Sequence, residues 1–493
     1  MPLLPDELQA VAERFPGRVA VDVVDGGAMT FAAWDAQSNA LARTFVGDDG
    51  VCPGDRVMLL LPADLADRFA IAYIAAHKAG AVVVPVNPRY APRELEHVAG
   101  SSEPALIVAG GDQEQRARAL QAGRVIGDAE WPAATDRDTT PFRVDRDETD
   151  LAEILYTSGT TGLPKGVTST HASVLANQAA PLEQHLTLLH SAPLPTTFGS
   201  LGALIMPLRL GMTSVALPRF DTERFASLIE ERRPAWLLMV PAQILLLLES
   251  GALAAHDTGS VRMVMFGSAP TPPHALPALA EAFPRAALVN GYGLTEGGGS
   301  TCTMPPGELL RRPGSVGKPV AGAAVRIVDD GGGERPQGEV GEVTIRLAAG
   351  ERSYWNDPEV SARTWRDGWV HTGDLGYFDE DGYLYLVDRK KDMINRGGYN
   401  VYSIEVEGAL YEHPDVAEAA VVGVPHDVLG QDVCAVVRLR AGAAPLELDA
   451  VRDFLAERLA DYKLPRRLVV RETPLPRSGT HKVDKKVLLA ELV

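Results

Sequence analysis

The chain has 493 residues, 46% of them hydrophobic and 23% charged, with 47 glycines and 36 prolines. This is an ordinary globular mixture of about three domain-sized units at roughly 150 residues each, and it excludes a disordered chain, a collagen or a disulfide-stapled miniprotein. A net charge of −18 argues against a nucleic-acid binder, which needs a basic face, and means that an anionic ligand must be held by local cations.

Cys52, Cys302 and Cys434 are far apart and no Cys/His cluster occurs. Neither a zinc site nor a disulfide framework is expected, and a reducing compartment fits. Met1–Arg14 lacks the basic start and apolar stretch of a signal peptide. The longest apolar runs, such as Ile244–Leu248, fall well short of the roughly 20 residues that span a bilayer. The reading is a soluble, cytoplasmic protein without membrane insertion.

Short apolar runs alternate with helical patterns over the first 390 residues or so. Val57–Leu61 reads as a strand, Asp64–Lys78 as a helix and Val82–Val86 as a strand. Ala105–Ala109, Glu153–Thr157, Leu237–Val240, Val261–Phe266 and Leu288–Asn290 are further strand candidates. Asp221 is placed to cap a helix over Thr222–Arg233, and His274–Phe283 is a second helix. Such alternation predicts an α/β fold of stacked parallel sheets with flanking helices. After about Val325 the texture turns β-rich: Ala324–Val328, a turn at Asp329–Gly333, Gly341–Arg346, a turn at Asp379–Gly382, then Tyr383–Val387. From Asp388 a compact α+β unit is predicted, with helices at Ser403–Glu412 and Leu448–Asp461 and strands at Ala417–Val424, Val433–Leu439 and Arg467–Arg471. The expected division is a core over 1–388 and a small C-terminal domain over 389–493, joined at the charged run Asp388–Asp392.

The sharpest chemical signal is the loop from Tyr156 to Gly166, Tyr-Thr-Ser-Gly-Thr-Thr-Gly-Leu-Pro-Lys-Gly, between a strand candidate and a helical pattern from His171. Glycines let backbone N–H groups approach an anion, hydroxyls add donors and Lys165 adds a point charge. The pattern suits a nucleotide triphosphate, although it is not the common P-loop spacing.

The loop resembles the phosphate loop of the adenylate-forming superfamily: acyl-CoA synthetases, peptide-synthetase adenylation domains and firefly-luciferase-like enzymes. Further stretches resemble the family's motifs in order. They are Asn290-Gly291-Tyr292-Gly293-Leu294-Thr295-Glu296, Thr372-Gly373-Asp374, Asp388–Asp392, Gly397–Val401, His413–Val416, Gly423–Pro425, Tyr462–Pro465 and Leu475-Pro476-Arg477 up to Lys482. The resemblance covers most of the chain from about residue 150, and an acyl-CoA synthetase is the nearest likeness.

The resemblance implies ATP, Mg²⁺ and coenzyme A as ligands and a carboxylic acid as substrate. Thr157, Ser158, Gly159, Thr160, Thr161, Gly162 and Lys165 would hold phosphates. Asn290, Gly291, Tyr292 and Gly293 would hold the adenine, with Tyr292 stacking on the base; a core tyrosine is the open alternative. Thr295 would meet the α-phosphate and Glu296 the metal. Asp374, otherwise a turn-capping residue, would accept from the ribose hydroxyls, and Arg389 would reach the same sugar. Lys482 would be the catalytic cation, Lys391 the hinge of a mobile domain, and Gly397, Gly398 and Tyr399 the thiol tunnel. An acyl pocket is expected among Thr196, Val240, Gly267, Ser268, Ala269 and Gly297, whose small residues suggest room for a bulky apolar acid.

Two departures from the family pattern stand out. His481 occupies the place of a glycine before Lys482, and Pro195-Thr196 replaces an aromatic–histidine gate. They keep open an enzyme that passes its acyl-AMP to a carrier-protein thiol or a separate acyltransferase. A non-catalytic nucleotide binder and a hydrolase are more distant alternatives; no Gly-x-Ser-x-Gly elbow occurs. Identity of the acid, and whether the protein is a monomer or a homodimer, are left open.

Overall fold

The structure is a computed structural model that describes residues 2–157, 163–176, 180–273, 275–347, 352–477 and 483–492. Among these residues the strands form three sheets. The first runs in the order Arg124–Ile126, Leu106–Ala109, Arg56–Leu60, Val82–Pro85, Leu151–Thr157, Lys165–Thr170. Its first five strands are parallel, and the last folds back antiparallel. Val82–Pro85 and Leu106–Ala109 are buried throughout, as expected of parallel strands covered on both faces. The helix Ala66–Lys78 is buried from Phe69 to its end, where Lys78 meets Asp35 at 2.6 Å and Asn39 at 2.5 Å. All-round burial explains its lack of a polar stripe.

The second sheet joins two halves. Val19–Val23, Thr213–Ala216, Thr187–His190, Trp236–Met239, Met263–Gly267 and Ala287–Leu294 lie parallel, so their C-terminal ends share one edge. Gly299–Thr303, Ser315–Pro319, Leu384–Arg389, Trp369–Phe378, Gly341–Leu347 and Ala323–Val328 continue it antiparallel. The third sheet, with Ile394–Arg396, Tyr399–Val401, Val416–His426, Gly430–Leu439 and Arg467–Arg471, has its own apolar clusters around Val421, Val437, Leu455 and Leu488. Arg440 reaches across from it to Glu249 at 3.1 Å. Among the described residues no helix is long and apolar enough to cross a membrane.

Several expectations need adjustment. The helix expected from His171 is a single turn, His171–Val174, capped by Thr170. The predicted Leu448–Asp461 helix stops at Ala456, followed by a short 3-10 turn at Asp461–Lys463. The strand expected at Leu288–Asn290 continues to Leu294, because Gly299–Thr303 pairs back onto it. Asp374 is not in a simple turn but within the Trp369–Phe378 strand. Asp221 caps Thr222–Arg232 as expected, accepting from the Arg224 N–H at 2.9 Å.

Candidate active site

The edges of the first two sheets meet around Glu296. Thr157 ends one strand of the phosphate hairpin and faces Lys165, the first residue of the other. The loop residues Ser158, Gly159, Thr160, Thr161 and Gly162 lie outside the described residues. The Thr157 hydroxyl donates to Glu296 Oε1 at 3.4 Å, and the Tyr354 hydroxyl donates to the same oxygen at 3.0 Å. Lys165 Nζ sits 5.4 Å from the centre of the Tyr354 ring, within cation–π range. Burial, and then the Glu296 charge, push the Tyr354 phenol above its usual pKa, so it remains a donor. Thr295 shares a 2.6 Å hydroxyl contact with Thr197.

Both hydrogen bonds to Glu296 fall on Oε1. Among the described residues none reaches Oε2, and no cluster of three or more His, Cys, Asp or Glu could hold a metal ion. One hard carboxylate with an oxygen to spare fits Mg²⁺, which keeps water and phosphate oxygens in its shell rather than an all-protein cage.

Beside this junction lies a second set. Tyr292 is buried among Cys302, Ile327, Val343 and Ile345, and its hydroxyl donates to Asp374 Oδ2 at 2.7 Å. Arg389 Nε lies 3.0 Å from Asp374 Oδ1. Burial, then the Asp374 charge, raise the Tyr292 pKa well above its ordinary value. Asp374 owes its place to an irregularity in pairing. Glu342 faces Leu375 and Thr344 faces His371, so Val343 alone stands opposite Thr372, Gly373 and Asp374. Gly373 takes φ +70° there, and the Thr372 hydroxyl donates to Val343 O at 2.7 Å. A bulge of this kind re-aims side chains out of the ladder. Asn290 donates to Ser315 O at 3.4 Å, while a Cβ on Gly291 would meet only ordinary contacts, Ser300 Oγ at 3.6 Å the nearest, and Gly293 lies tight against the Gly299 backbone.

The expected acyl-pocket residues gather on the shared strand edge. Val240 follows Trp236–Met239, and Gly267 ends Met263–Gly267 before Ser268, at φ +69°, and Ala269. Thr196 caps the segment after it, accepting from the Gly199 N–H at 3.0 Å. The structure supplies another reason for two of the small residues. A Cβ on Gly267 would lie 2.4 Å from Gly291 O, and one on Gly297 would lie 2.3 Å from the Ile345 side chain. Their smallness therefore serves close protein packing before any ligand.

The remaining expected residues belong to the C-terminal part of the chain. Lys391 is exposed in the link after Leu384–Arg389. Gly397 and Gly398, at φ +59° and +93°, turn the hairpin between Ile394–Arg396 and Tyr399–Val401. Tyr399 is 60% exposed and stacks on Tyr462 at 4.8 Å. Lys482 and His481 lie outside the described residues.

Sequence comparison matches residues 8–355 to the AMP-binding enzyme family and residues 405–482 to the C-terminal domain of AMP-binding enzymes. The chain belongs to the AMP-binding enzyme family. It is 33% identical to the long-chain-fatty-acid–CoA ligase FadD13 of Mycobacterium tuberculosis, over 93% of this chain and 92% of that protein. It is also 33% identical to the fatty acid–[acyl-carrier-protein] ligase ScoC of Streptomyces coeruleorubidus, over 97% and 94%. The crystal structure of the anthranilate CoA ligase AuaEII in complex with anthranoyl-AMP superposes with a TM-score of 0.91 at 27% identity, covering 99% of this chain and 97% of that one. The fold is that of adenylate-forming enzymes.

Two residues of this AMP-binding enzyme's junction escape the sequence reading: Arg352 and Tyr354. Tyr354 and Trp355 precede an Asp357-capped helix, Pro358–Thr364. That cap marks an ordered segment but carries no sign of a partner 58 residues away in Glu296.

Proposed function

We propose that the protein joins a carboxylic acid to ATP, releasing pyrophosphate and forming acyl-AMP, and then transfers the acyl group to coenzyme A, releasing AMP. One observation carries this reading: the hydroxyl-rich hairpin of Thr157 and Lys165 converges on the Thr295–Glu296 turn, with Tyr354 touching both Glu296 and Lys165. Cation, hydroxyls and metal-competent carboxylate together make a site for a triphosphate.

In this reading Glu296 holds Mg²⁺, which when bound neutralises charge on phosphate oxygens. Lys165 and the 157–162 segment grip the triphosphate. Tyr292 and the Asn290–Gly293 stretch take the adenine, and Asp374 and Arg389 the ribose. A substrate carboxylate oxygen attacks the α-phosphorus, the bond to the β-phosphate oxygen breaks and pyrophosphate leaves. Lys482 stabilises the charge that develops, an interaction stronger in the transition state than in the ground state. The 389–493 unit then turns about Lys391, withdrawing Lys482 and bringing Gly397, Gly398 and Tyr399 to the adenylate. The thiol attacks the acyl carbonyl, and AMP departs as its proton is lost to solvent. The acid sits among Thr196, Val240, Gly267, Ser268, Ala269 and Gly297.

ATP–pyrophosphate exchange across aryl, fatty and polycyclic carboxylates tests the first half. Acid-dependent exchange is expected; MgATP binding with no exchange for any acid would favour a non-catalytic nucleotide binder. Mass spectrometry with coenzyme A then tests the second half by the appearance of a thioester. The likeness to ScoC, together with His481, favours one rival, transfer to a carrier-protein thiol. Acyl-AMP that persists in the presence of coenzyme A would select it.

A further inference from the structure

Arg352 enters the space between the phosphate hairpin and the Thr295–Glu296 turn, and nothing above gives it a role. Its guanidinium is forked across both. Nη1 donates to Ser169 Oγ at 2.5 Å and to Thr295 O at 3.4 Å. Nη2 donates to Ser173 O at 3.5 Å. Ser169 stands on the hairpin directly opposite Glu153, whose buried carboxylate accepts from the Tyr73 hydroxyl at 2.6 Å. The carboxylates of Glu153 and Glu296 both act electrostatically on Arg352. One cation thus stands between a structural carboxylate and the one assigned to the metal.

The backbone opposite is shaped to admit it. Gly298 follows Glu296 by two residues at φ +80°, and a Cβ there would come within 2.9 Å of Arg352 Nη2. Gly299, at φ +114°, leaves room in the same way for Leu201. The space beside the glycine run 297–299 is therefore occupied in part by this guanidinium. A lysine would not substitute: a single ammonium lacks the second nitrogen that reaches Ser173 O while the first bridges Ser169 and Thr295.

We propose that Arg352 is a positioning residue that locks the Thr295–Glu296 turn to the phosphate hairpin and so sets how the site receives the metal-bound triphosphate. The inference rests on the assignment of Glu296 to Mg²⁺. Arg352 fixes the backbone carbonyl next to Glu296, Tyr354 fixes the carboxylate itself, and loss of the first leaves the second without a fixed frame. The defect should therefore be metal-specific.

Titration calorimetry of the full chain with MgATP, and with ATP in EDTA, reads this directly and needs no knowledge of the acid. Arg352→Lys should raise the Kd for MgATP at least tenfold while leaving that for metal-free ATP within about twofold. Arg352→Ala should show the same split, and added guanidinium should narrow it. Wild-type MgATP affinity in Arg352→Lys, or equal weakening of both forms, overturns the proposal. Glu296→Gln is the reference: if it shows no split, the metal assignment itself fails; if it shows one and Arg352→Lys does not, only the role of Arg352 fails. Melting curves are recorded alongside. Should Arg352→Lys not fold, Ser169→Ala removes the shortest of these bonds while keeping the charge. A threefold or larger metal-specific loss then supports the proposal, and unchanged affinity overturns it.

Discussion

The Glu296 junction and the Gly397–Tyr399 hairpin are built in opposite ways. At the first, side chains from four separate segments bond to one another: Thr157, Thr197, Thr295–Glu296 and Arg352–Tyr354. At the second, a two-glycine turn carries an exposed tyrosine, and its backbone anchors stay within the small unit: Gly397 N–H to Leu429 O at 2.9 Å and Gly398 N–H to Asn395 Oδ1 at 3.0 Å. Groups aimed at developing charge act best when held rigidly beforehand. A surface that must meet its partner only after a rotation cannot be braced against the core it will later face. Under the proposed function this contrast would suit the first region to early, metal-assisted chemistry and the second to delivery.

The largest test of this division is Lys482→Ala. It should slow acyl-AMP formation about 10²–10³-fold, roughly 2.7–4 kcal/mol, while thioester formation from supplied acyl-AMP survives. Equal loss in both half-reactions, measured by rapid quench, would dissolve the comparison.

Acid should separate the two regions next. Burial lowers the pKa of both His171 and His190 in the core to about 4. A histidine depressed in the folded state stabilises it above the unfolded pKa near 6.5, and that stability drains away as pH falls from 6.5 towards 4. The drain approaches roughly 1.4 kcal/mol for each unit of separation. Glu153, raised by burial to about 7, acts in the other sense: its stabilisation is full below about 4.5 and declines as pH rises through 7. In the small unit burial raises Glu407 likewise, while Glu418, despite its burial, is lowered by hydrogen bonds from Arg438 and Arg477, so the two act in opposite senses and acid weakens this unit less. All six tryptophans precede residue 370, so tryptophan fluorescence follows the core alone. Its urea midpoint should fall between pH 6.5 and 4.5 more steeply than that of hydrogen exchange at Val421 and Val437. Parallel decline of the two probes would contradict this.

Asp374→Asn sharpens the picture within the core. It removes the charge that pairs with Arg389 and accepts from Tyr292. ATP affinity should fall by about 1.5–3 kcal/mol, with coenzyme A affinity unchanged by calorimetry. The smallest effect belongs to Tyr399→Ala. Losing one exposed stacking partner should cost about 1 kcal/mol of stability, with adenylation unaltered and the thioester step slowed. A slower adenylation step would move Tyr399 to the other side of the comparison.

How legible was this in the sequence? The alternating strands, the hydroxyl–glycine loop and the order of motifs are local patterns, and each announced itself within one stretch of chain. Arg352 did not, because its meaning lies in Ser169, 183 residues away. The bulge at Thr372–Asp374 was equally hidden: a two-residue mismatch between strands exists only once the strands are paired. The glycines at 267 and 297 were legible as small but not as filled, since Gly291 O and Ile345 come from distant segments.

Asp388 acts as a fastener. Its buried carboxylate accepts from the N–H and the hydroxyl of Ser403, and Lys485 donates to that same hydroxyl at 2.6 Å. The two bonds to Asp388 straddle Lys391. The proposed swing about that residue would have to unclasp them, trading two ordered bonds for solvent, so the dwell time of each pose would depend on this clasp.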